Sequence, residues 1–225
     1  MRKMKLVLLR HGESEANFEN YWTGWLDVAL TERGMIQAID AGKKMRERAL
    51  FFDKVYTSVL KRAIKTSQLA LEEMGQLYLP IEKTWRLNER HYGALVGKNK
   101  EEMKKEYGKD QVKKWRRGYK EVPPLALENH FDRRYDFLDP RLISHGESLE
   151  MTVKRIMPLW EDQLAPRLMD EQNLLVVGHG NSLRALTKYL ENVPENKMDT
   201  IDIPNAQPIE YTLNTNLEIF DKILL

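Results

Sequence analysis

Two short apolar runs limit the fold more than any other feature of the chain. Leu6–Leu9, inside the segment Lys5–Arg10 (K-L-V-L-L-R), and Leu174–Val177 (L-L-V-V) are apolar at every position. Both are too short for a buried helix, and each breaks off within two residues into a histidine followed by glycine. Runs of this length read as strands buried on both faces, the kind found in parallel sheets covered by helices. The segments between them carry helical spacing. Thr31 caps a helix with Met35, Ala38, Ile39, Gly42 and Met45 on one face. Asp53–Thr57 is a second strand, with Ser58 expected as N-cap of a helix from about Val59 to Met74 and Gly75 as its stop. Asn99–Tyr107 and Lys109–Arg117 read as two short helices parted by Gly108, and Pro123-Pro124 opens an irregular stretch to about Arg141. A long helix from Leu149 places Val153, Ile156, Trp160 and Leu164 inward and should kink at Pro158. Leu183, Leu186 and Leu190 face inward on a helix after His179, and strand candidates Ile209–Leu213 and the run to Ile223 close the chain. Alternating strand and helix signals predict an α/β fold with a mostly parallel sheet flanked by helices. The 225 residues fit one domain, 1–225, with about 86–141 inserted as a lid.

Composition narrows the chemistry. With no cysteine, disulfides, thiolate nucleophiles, iron–sulfur clusters and cysteine-bound zinc are excluded. The N-terminus lacks the apolar length of a signal peptide or membrane span, so a cytoplasmic protein without membrane partners is expected. Net charge is only +2, but it is unevenly placed. Residues 86–120 hold twelve basic side chains against five acids, a net of +7 that leaves −5 on the rest. On charge alone that segment is a solvated helical face, a nucleic-acid patch around Trp115, or a cap over an anionic small molecule.

Three strand-to-helix junctions stand out: Arg10-His11-Gly12-Glu13-Ser14, Thr57-Ser58 running to Arg62, and Gly178-His179-Gly180-Asn181. Ligands of parallel α/β sheets gather outside the carboxyl ends of the strands, where helix N-termini offer N–H groups to phosphate. Two His-Gly pairs with Arg10 and Arg62 at one sheet edge point to anion chemistry. His145-Gly-Glu-Ser148 repeats the tetrapeptide of His11–Ser14 but follows no buried strand, and Ser144-x-x-Glu147 reads as a capping box. His130, in the irregular stretch, is given no role. His91 is singled out by its polar, glycine-flanked surroundings, Leu87–Leu95. No P-loop, dinucleotide or metalloprotease signature and no carboxylate cluster at ligand spacing is present, so no metal is expected.

The motif L-R-H-G-E-S-x-x-N at Leu9–Asn17 resembles the nucleophile motif of the histidine phosphatase superfamily. Thr23–Trp25, Leu30–Gly34, Tyr56–Ala63, Leu87–Leu95, Lys113–Gly118 and Gly178–Ala185 extend the likeness to its 2,3-bisphosphoglycerate-dependent phosphoglycerate mutase branch. N-E-R-H-Y-G-A-L and W-R-R-G are the most branch-specific blocks. The resemblance implies a phosphoglycerate mutase-like fold and the interconversion of 3-phosphoglycerate and 2-phosphoglycerate, primed by 2,3-bisphosphoglycerate. His11 would carry the phosphoryl group as phosphohistidine. Arg10, Arg62 and His179 would surround that group, and Glu89 would be the general acid/base. Ser14, Asn17, Thr23, Gly24, Gly180 and Asn181 would contact phosphate or substrate; Arg90, His91, Tyr92, Lys100, Arg116 and Arg117 would cover its anionic groups. The resemblance turns the basic segment into an anion-binding lid and implies a homodimer or larger homo-oligomer, with phosphoglycerates rather than nucleic acid as partners.

Two departures from the family pattern stand out. Pro204-Asn205-Ala206-Gln207-Pro208 replaces P-T-G-x-P, which restricts that loop's backbone. The chain runs only to Leu225, so water exclusion is expected to rest on the 98–120 lid. A phosphatase or a bisphosphoglycerate synthase on the same scaffold is the alternative reading, and a non-catalytic anion- or nucleic-acid-binding protein the third.

Overall fold

The computed structural model describes residues 3–128 and 132–225; His130 falls outside them. Its centre is β1 (Met4–Arg10), whose alternate side chains leave on opposite faces. Leu6 and Leu8 pack with Leu174, Val176, Ile156 and Leu183, whereas Val7 and Leu9 pack with Leu175, Val177, Ala41, Met45 and Leu71. Both faces of the strand are therefore core, which is why its sequence shows no polar alternation.

From β1 the chain continues through α1 (Glu15–Phe18), α2 (Glu32–Glu47), β2 (Lys54–Thr57), α3 (Lys61–Glu73) and β3 (Ile81–Lys83). Next come α4 (Lys100–Tyr107), α5 (Lys109–Arg117), α6 (Leu149–Leu159), α7 (Ala165–Met169), β4 (Leu174–Gly178), α8 (Gly180–Leu190), β5 (Ile209–Leu213) and β6 (Ile219–Leu224). The sheet order is β3-β2-β4-β1-β5-β6. The first four strands run parallel, and β5 and β6 add an antiparallel edge. Helices α2 and α3 cover one face, and α6, α7 and α8 the other. This is the α/β architecture expected from the alternation of signals. Because β4 enters between β2 and β1, Thr57 pairs with Val177 and Arg10 with Gly178. The carboxyl ends of these three strands thus lie side by side.

Local signals were legible where the side chain acts on its own backbone. The Thr31 side chain accepts from Gly34 N–H at the start of α2. Gly108, at φ +84°, parts α4 from α5 in a backbone conformation that favours glycine. Two expectations need correction. Ser58 does not cap α3, which starts at Lys61 with Leu60 in the cap position. Ser144 and Glu147 form no capping box; Ser148 caps α6 by accepting from Met151 N–H, while Ser144 Oγ donates to Gly146 O. The helix from Leu149 is interrupted next to Pro158, where a kink was expected: α6 ends at Leu159 and one π-helical turn, Trp160–Leu164, leads into α7. Proline removes an N–H from the ladder, and a wider turn absorbs the mismatch. The short edge strand β3 had no signal, since Ile81-Glu-Lys83 carries only one apolar residue.

The basic segment rests on a small core of its own. Trp22, Tyr92, Leu95, Met103, Val112 and Trp115 are buried together under α4 and α5. Trp115 is thus a core side chain, with no exposed ring for a base to stack on. No helix among the described residues is long and apolar enough to cross a membrane.

Candidate active site

Pairing of β1 with β4 sets His11 beside His179: His11 N–H donates to Gly178 O (3.0 Å), and the two imidazoles meet edge to face with centroids 4.9 Å apart. Gly12 allows the turn that makes this possible. A Cβ there would stand 2.1 Å from Gly34 O, so no other residue fits between the β1 junction and the N-terminus of α2. Gly12 N–H donates to Thr66 Oγ1 (3.1 Å), tying the same turn to α3.

Each imidazole has its protonation fixed by one neighbour. His11 Nδ1 lies 2.6 Å from Gly12 O. A carbonyl only accepts, so Nδ1 carries the proton and Nε2 is left as the nucleophilic nitrogen. Burial, then Arg62 and Arg10, hold the His11 pKa well below its usual range, so the ring is neutral. His179 is depressed in the same way, by burial and then by Arg62. Its Nε2 is 2.8 Å from Ser58 Oγ, and its Nδ1 is buried with no protein partner. Ser58 Oγ also accepts from Leu60 N–H (3.2 Å), and the described residues offer its proton no acceptor besides Nε2, so the hydroxyl donates to Nε2 and Nδ1 carries the ring proton. Ser58 is therefore a partner of His179, the role in which it was missed.

The guanidinium groups around this pair are pinned by carbonyls. Arg62 donates to Leu26 O (2.8 Å) and Gly24 O (2.9 Å), and burial brings its pKa down to about 10. Arg10 donates to Ile203 O (2.8 Å), and its Nε is buried without a protein partner. Asn205 Nδ2 donates to His11 O (2.8 Å) and Ala206 N–H to Arg10 O (3.0 Å). The loop that departs from the family pattern thus still clamps the nucleophile's backbone. Ala206 adopts φ +48° to do so, at a cost of roughly 1 kcal/mol that glycine would not incur.

Next to the buried His11, His179 and Arg62, which do not themselves line it, opens a cleft lined by Arg10, Asn17, Thr23, Gly24, Glu89, Tyr92, Lys100, Arg116, Arg117, Gly180 and Asn181, eleven of the residues singled out from sequence. Glu89 Oε1 accepts from Arg90 N–H (2.8 Å) and Asn181 N–H (3.1 Å). Lys100 is pulled down to about 8, mainly by burial and then by Arg116. Tyr92 OH accepts from Asn181 Nδ2 (2.7 Å), and Asn181 Oδ1 accepts from Arg184 Nη1 (2.8 Å). Arg184 also donates to Arg116 O (3.4 Å), Arg117 O (3.0 Å) and Met198 O, fastening the end of α5 to α8.

Three expected site residues lie elsewhere. Ser14 is spent on capping α1, exchanging hydrogen bonds with Asn17. His91 lies behind the cleft with its ring against Trp25 (5.7 Å); its Nδ1 accepts from Gly93 N–H (3.0 Å), and burial lowers its pKa to about 4. Arg90 is buried with its guanidinium 4.7 Å from the Tyr92 ring and does not line the cleft. His145 is exposed on the surface, its Nδ1 donating to Ala126 O (2.8 Å). Sequence reasoning missed Tyr21, Trp22, Arg184, Asp202 and Ile203, which line the same cleft. Arg184 had a signal, one helical turn beyond Asn181; Asp202 had none. Its carboxylate pairs with Arg117 (3.1 Å) from an irregular segment far along the chain. Five cations against two carboxylates make the lining an anion site. Among the described residues, no group of three or more His, Asp or Glu side chains is placed to hold a metal.

The sequence profile of the histidine phosphatase superfamily, branch 1, matches residues 6–219. A 2,3-bisphosphoglycerate-dependent phosphoglycerate mutase of Lactobacillus acidophilus is 49% identical over 223 residues, covering 97% of both chains. One from Streptococcus pyogenes serotype M5 is 50% identical over 227 residues, covering 99% of this chain and 98% of its own. Among solved structures, a mycobacterial glucosyl-3-phosphoglycerate phosphatase superposes with a TM-score of 0.74 at 24% identity, covering 100% of this chain and 98% of its own, a likeness of fold. Family profile, near-complete relatives and paired histidines agree: the chain belongs to branch 1 of the histidine phosphatase superfamily.

Proposed function

We propose that this chain interconverts 3-phosphoglycerate and 2-phosphoglycerate through a phosphohistidine on His11, primed by 2,3-bisphosphoglycerate. The observation that carries the chemistry is the buried, neutral His11 with Nδ1–H given to Gly12 O, beside His179 and under a cationic cleft. The near-full-length relatives named above supply the substrate class.

The residues fit the primer: Arg10 Nε and His179 Nδ1 are buried polar atoms without protein partners, and Arg10 lies in a lining rich in cations. When bound, 2,3-bisphosphoglycerate supplies the phosphoryl group that loads His11. His11 Nε2 attacks phosphorus in line with the departing oxygen. The Gly12 carbonyl stabilises the charge that grows on the ring through Nδ1–H. Arg10, Arg62 and the Nδ1–H of His179 accept the charge on the equatorial oxygens, which is where electrostatic catalysis is worth most. Glu89 gives a proton to the leaving substrate oxygen and takes one from the hydroxyl that attacks in the second displacement. Arg116, Arg117 and Lys100 hold the carboxylate and the distal phosphate. Each charge-assisted contact is worth roughly 1.5–3 kcal/mol.

In this reading the 86–141 segment is the lid of one domain spanning 1–225. The enzyme works in the cytoplasm and assembles as a homodimer or larger homo-oligomer, testable by light scattering. The deciding experiment is an enolase-coupled assay with and without 2,3-bisphosphoglycerate, run in parallel with a metal chelator kept off the magnesium-dependent coupling enzyme. Turnover that rises with the primer and survives chelation is expected. Release of inorganic phosphate as fast as isomerisation would replace the mutase by a phosphatase.

A further inference from the structure

The second His-Gly-Glu-Ser tetrapeptide has no part in the phosphoryl site, yet its glutamate is one of the most buried charges in the molecule. Glu147 and Arg155 are each 5% exposed and pair through Nε–Oε1 (2.7 Å) and Nη2–Oε2 (3.0 Å). Glu147 Oε2 also accepts from His91 N–H (2.8 Å), and Glu147 N–H donates to His91 O (2.8 Å). The far side of the guanidinium spreads over the preceding loop. Nη1 donates to Trp85 O (3.2 Å) and Arg86 O (2.7 Å), and Nη2 to Asn88 O and Glu89 O (both 3.2 Å).

These four carbonyls belong to a short 3-10 turn, whose own bond runs from Asn88 N–H to Trp85 O (2.9 Å), and to its irregular exit. Buried carbonyls left unpaired are costly, and only arginine offers five donors in a fixed planar fork. A buried ion pair is weak evidence for stability, because apolar side chains of similar volume often serve as well. What apolar side chains cannot do is hold four carbonyls of an irregular loop in one arrangement. The last of those carbonyls is that of Glu89, which also accepts from Trp25 Nε1 (2.6 Å). On its other side the Glu89 carboxylate accepts from the N–H groups of Arg90 and Asn181.

We propose that Arg155, gripped by Glu147, is a positioning residue that fixes where the Glu89 carboxylate can exchange a proton with substrate. This rests on the reading of Glu89 as the general acid/base. Misplacement of a reacting group by about 1 Å costs on the order of 10²-fold. Replacing the fork by a single ammonium keeps the charge and frees at least two of the carbonyls.

The test is a double-mutant cycle of Arg155→Lys with Glu89→Gln, read by mutase kcat and KM and by the rate of His11 labelling from 2,3-bisphosphoglycerate. Arg155→Lys should lower kcat about 10- to 100-fold, with KM changed less than about threefold and His11 labelling, whose leaving oxygen takes its proton from Glu89, slowed alongside kcat. In the Glu89→Gln background the same substitution should cost less than about threefold more, because its route of action is already gone. Losses that multiply in the cycle, or an unchanged kcat in Arg155→Lys, overturn the inference while Glu89→Gln stays impaired and the acid/base reading stands. A Glu89→Gln protein turning over at the wild-type rate removes that reading and the inference with it. Should Arg155→Lys fail to fold by near-UV circular dichroism, Glu147→Gln, which keeps an acceptor for His91 N–H and weakens the grip on Arg155, goes through the same cycle. There a kcat loss absent from the Glu89→Gln background supports the inference, and an additive loss overturns it.

Discussion

Ser58→Ala isolates the part of the site that fixes His179. The side chain is fully buried and makes two contacts, to His179 Nε2 (2.8 Å) and from Leu60 N–H (3.2 Å). Alanine removes the hydroxyl without adding bulk, so the backbone of the β2–α3 junction need not move. Two buried groups lose their partner, His179 Nε2 and Leu60 N–H. Only the first bears on catalysis, since it keeps the Nδ1–H tautomer facing the phosphoryl group. Leaving one buried acceptor unsatisfied costs about 1–3 kcal/mol, which corresponds to a fall of about 5- to 150-fold in any step that needs this tautomer. The step to measure is single-turnover phosphorylation of His11, with labelled 2,3-bisphosphoglycerate mixed rapidly and quenched in base, where phosphohistidine survives. The binding constant should change far less than the rate, because the cations of the cleft are untouched. Labelling in Ser58→Ala within twofold of wild type would refute the tautomer assignment and leave His179 a space-filling neighbour of His11.

Three further outcomes follow from the charges of the site. His11, His91 and His179 all have depressed pKa values in the folded chain, so below about pH 6.5 the unfolded chain binds protons that the folded one refuses. Stability is full above that pH and should fall by about 1.4 kcal/mol per unit for each of the three as pH drops toward 4; urea unfolding at pH 7.5 and 5.5 measures this, and equal midpoints would contradict it. With Lys100 at about 8, kcat/KM should decline above that pH in wild type, and Lys100→Arg, which stays charged, should keep the plateau to pH 9.5. Arg116→Ala and Arg117→Ala should each weaken substrate use by roughly 1.5–3 kcal/mol, seen mainly in KM, while duplex DNA at physiological salt leaves turnover unchanged.

The strands, the junctions and most of the cleft could be read from the sequence because each is specified locally. Leu6–Leu9 and Leu174–Val177 are uniformly apolar since both faces of those strands are covered, and each ends where the turn needs glycine. The residues misplaced or missed have their roles set by partners distant in sequence. Ser58 looks like a cap because serine before a helix usually is one; only pairing of β2 with β4 brings His179 within reach. Glu147 looks like the end of a capping box until α6 returns Arg155 to it. His91 sits in a polar stretch that does line the cleft, but its own side chain turns to the opposite face. Asp202 reaches the site from a segment with neither periodicity nor motif, so no reading of its neighbours would have found it.

Arginine plays two roles here, and the atom it donates to tells them apart. Arg10, Arg62 and Arg184 give N–H groups to backbone carbonyls: Ile203 O; Leu26 O and Gly24 O; Arg116 O, Arg117 O and Met198 O. A carbonyl dipole fixes the guanidinium and partly replaces its hydration, yet leaves its unit charge standing. All three are lowered in pKa by burial, the signature of cations kept in a poor solvent without full compensation. Burial first, and then that uncompensated field, keep His11 and His179 neutral in the resting site, and the field favours an anion when one arrives. Arg155 instead spends its charge on Glu147 and only its geometry on the loop carbonyls. A carboxylate beside Arg62 would have held the same shape and cancelled the field; a neutral partner for Arg155 would have left a further uncompensated cation behind the Glu89 loop. Under the proposed function, the distribution of partners, more than the number of arginines, is what would separate a phosphoryl site from a scaffold for proton transfer.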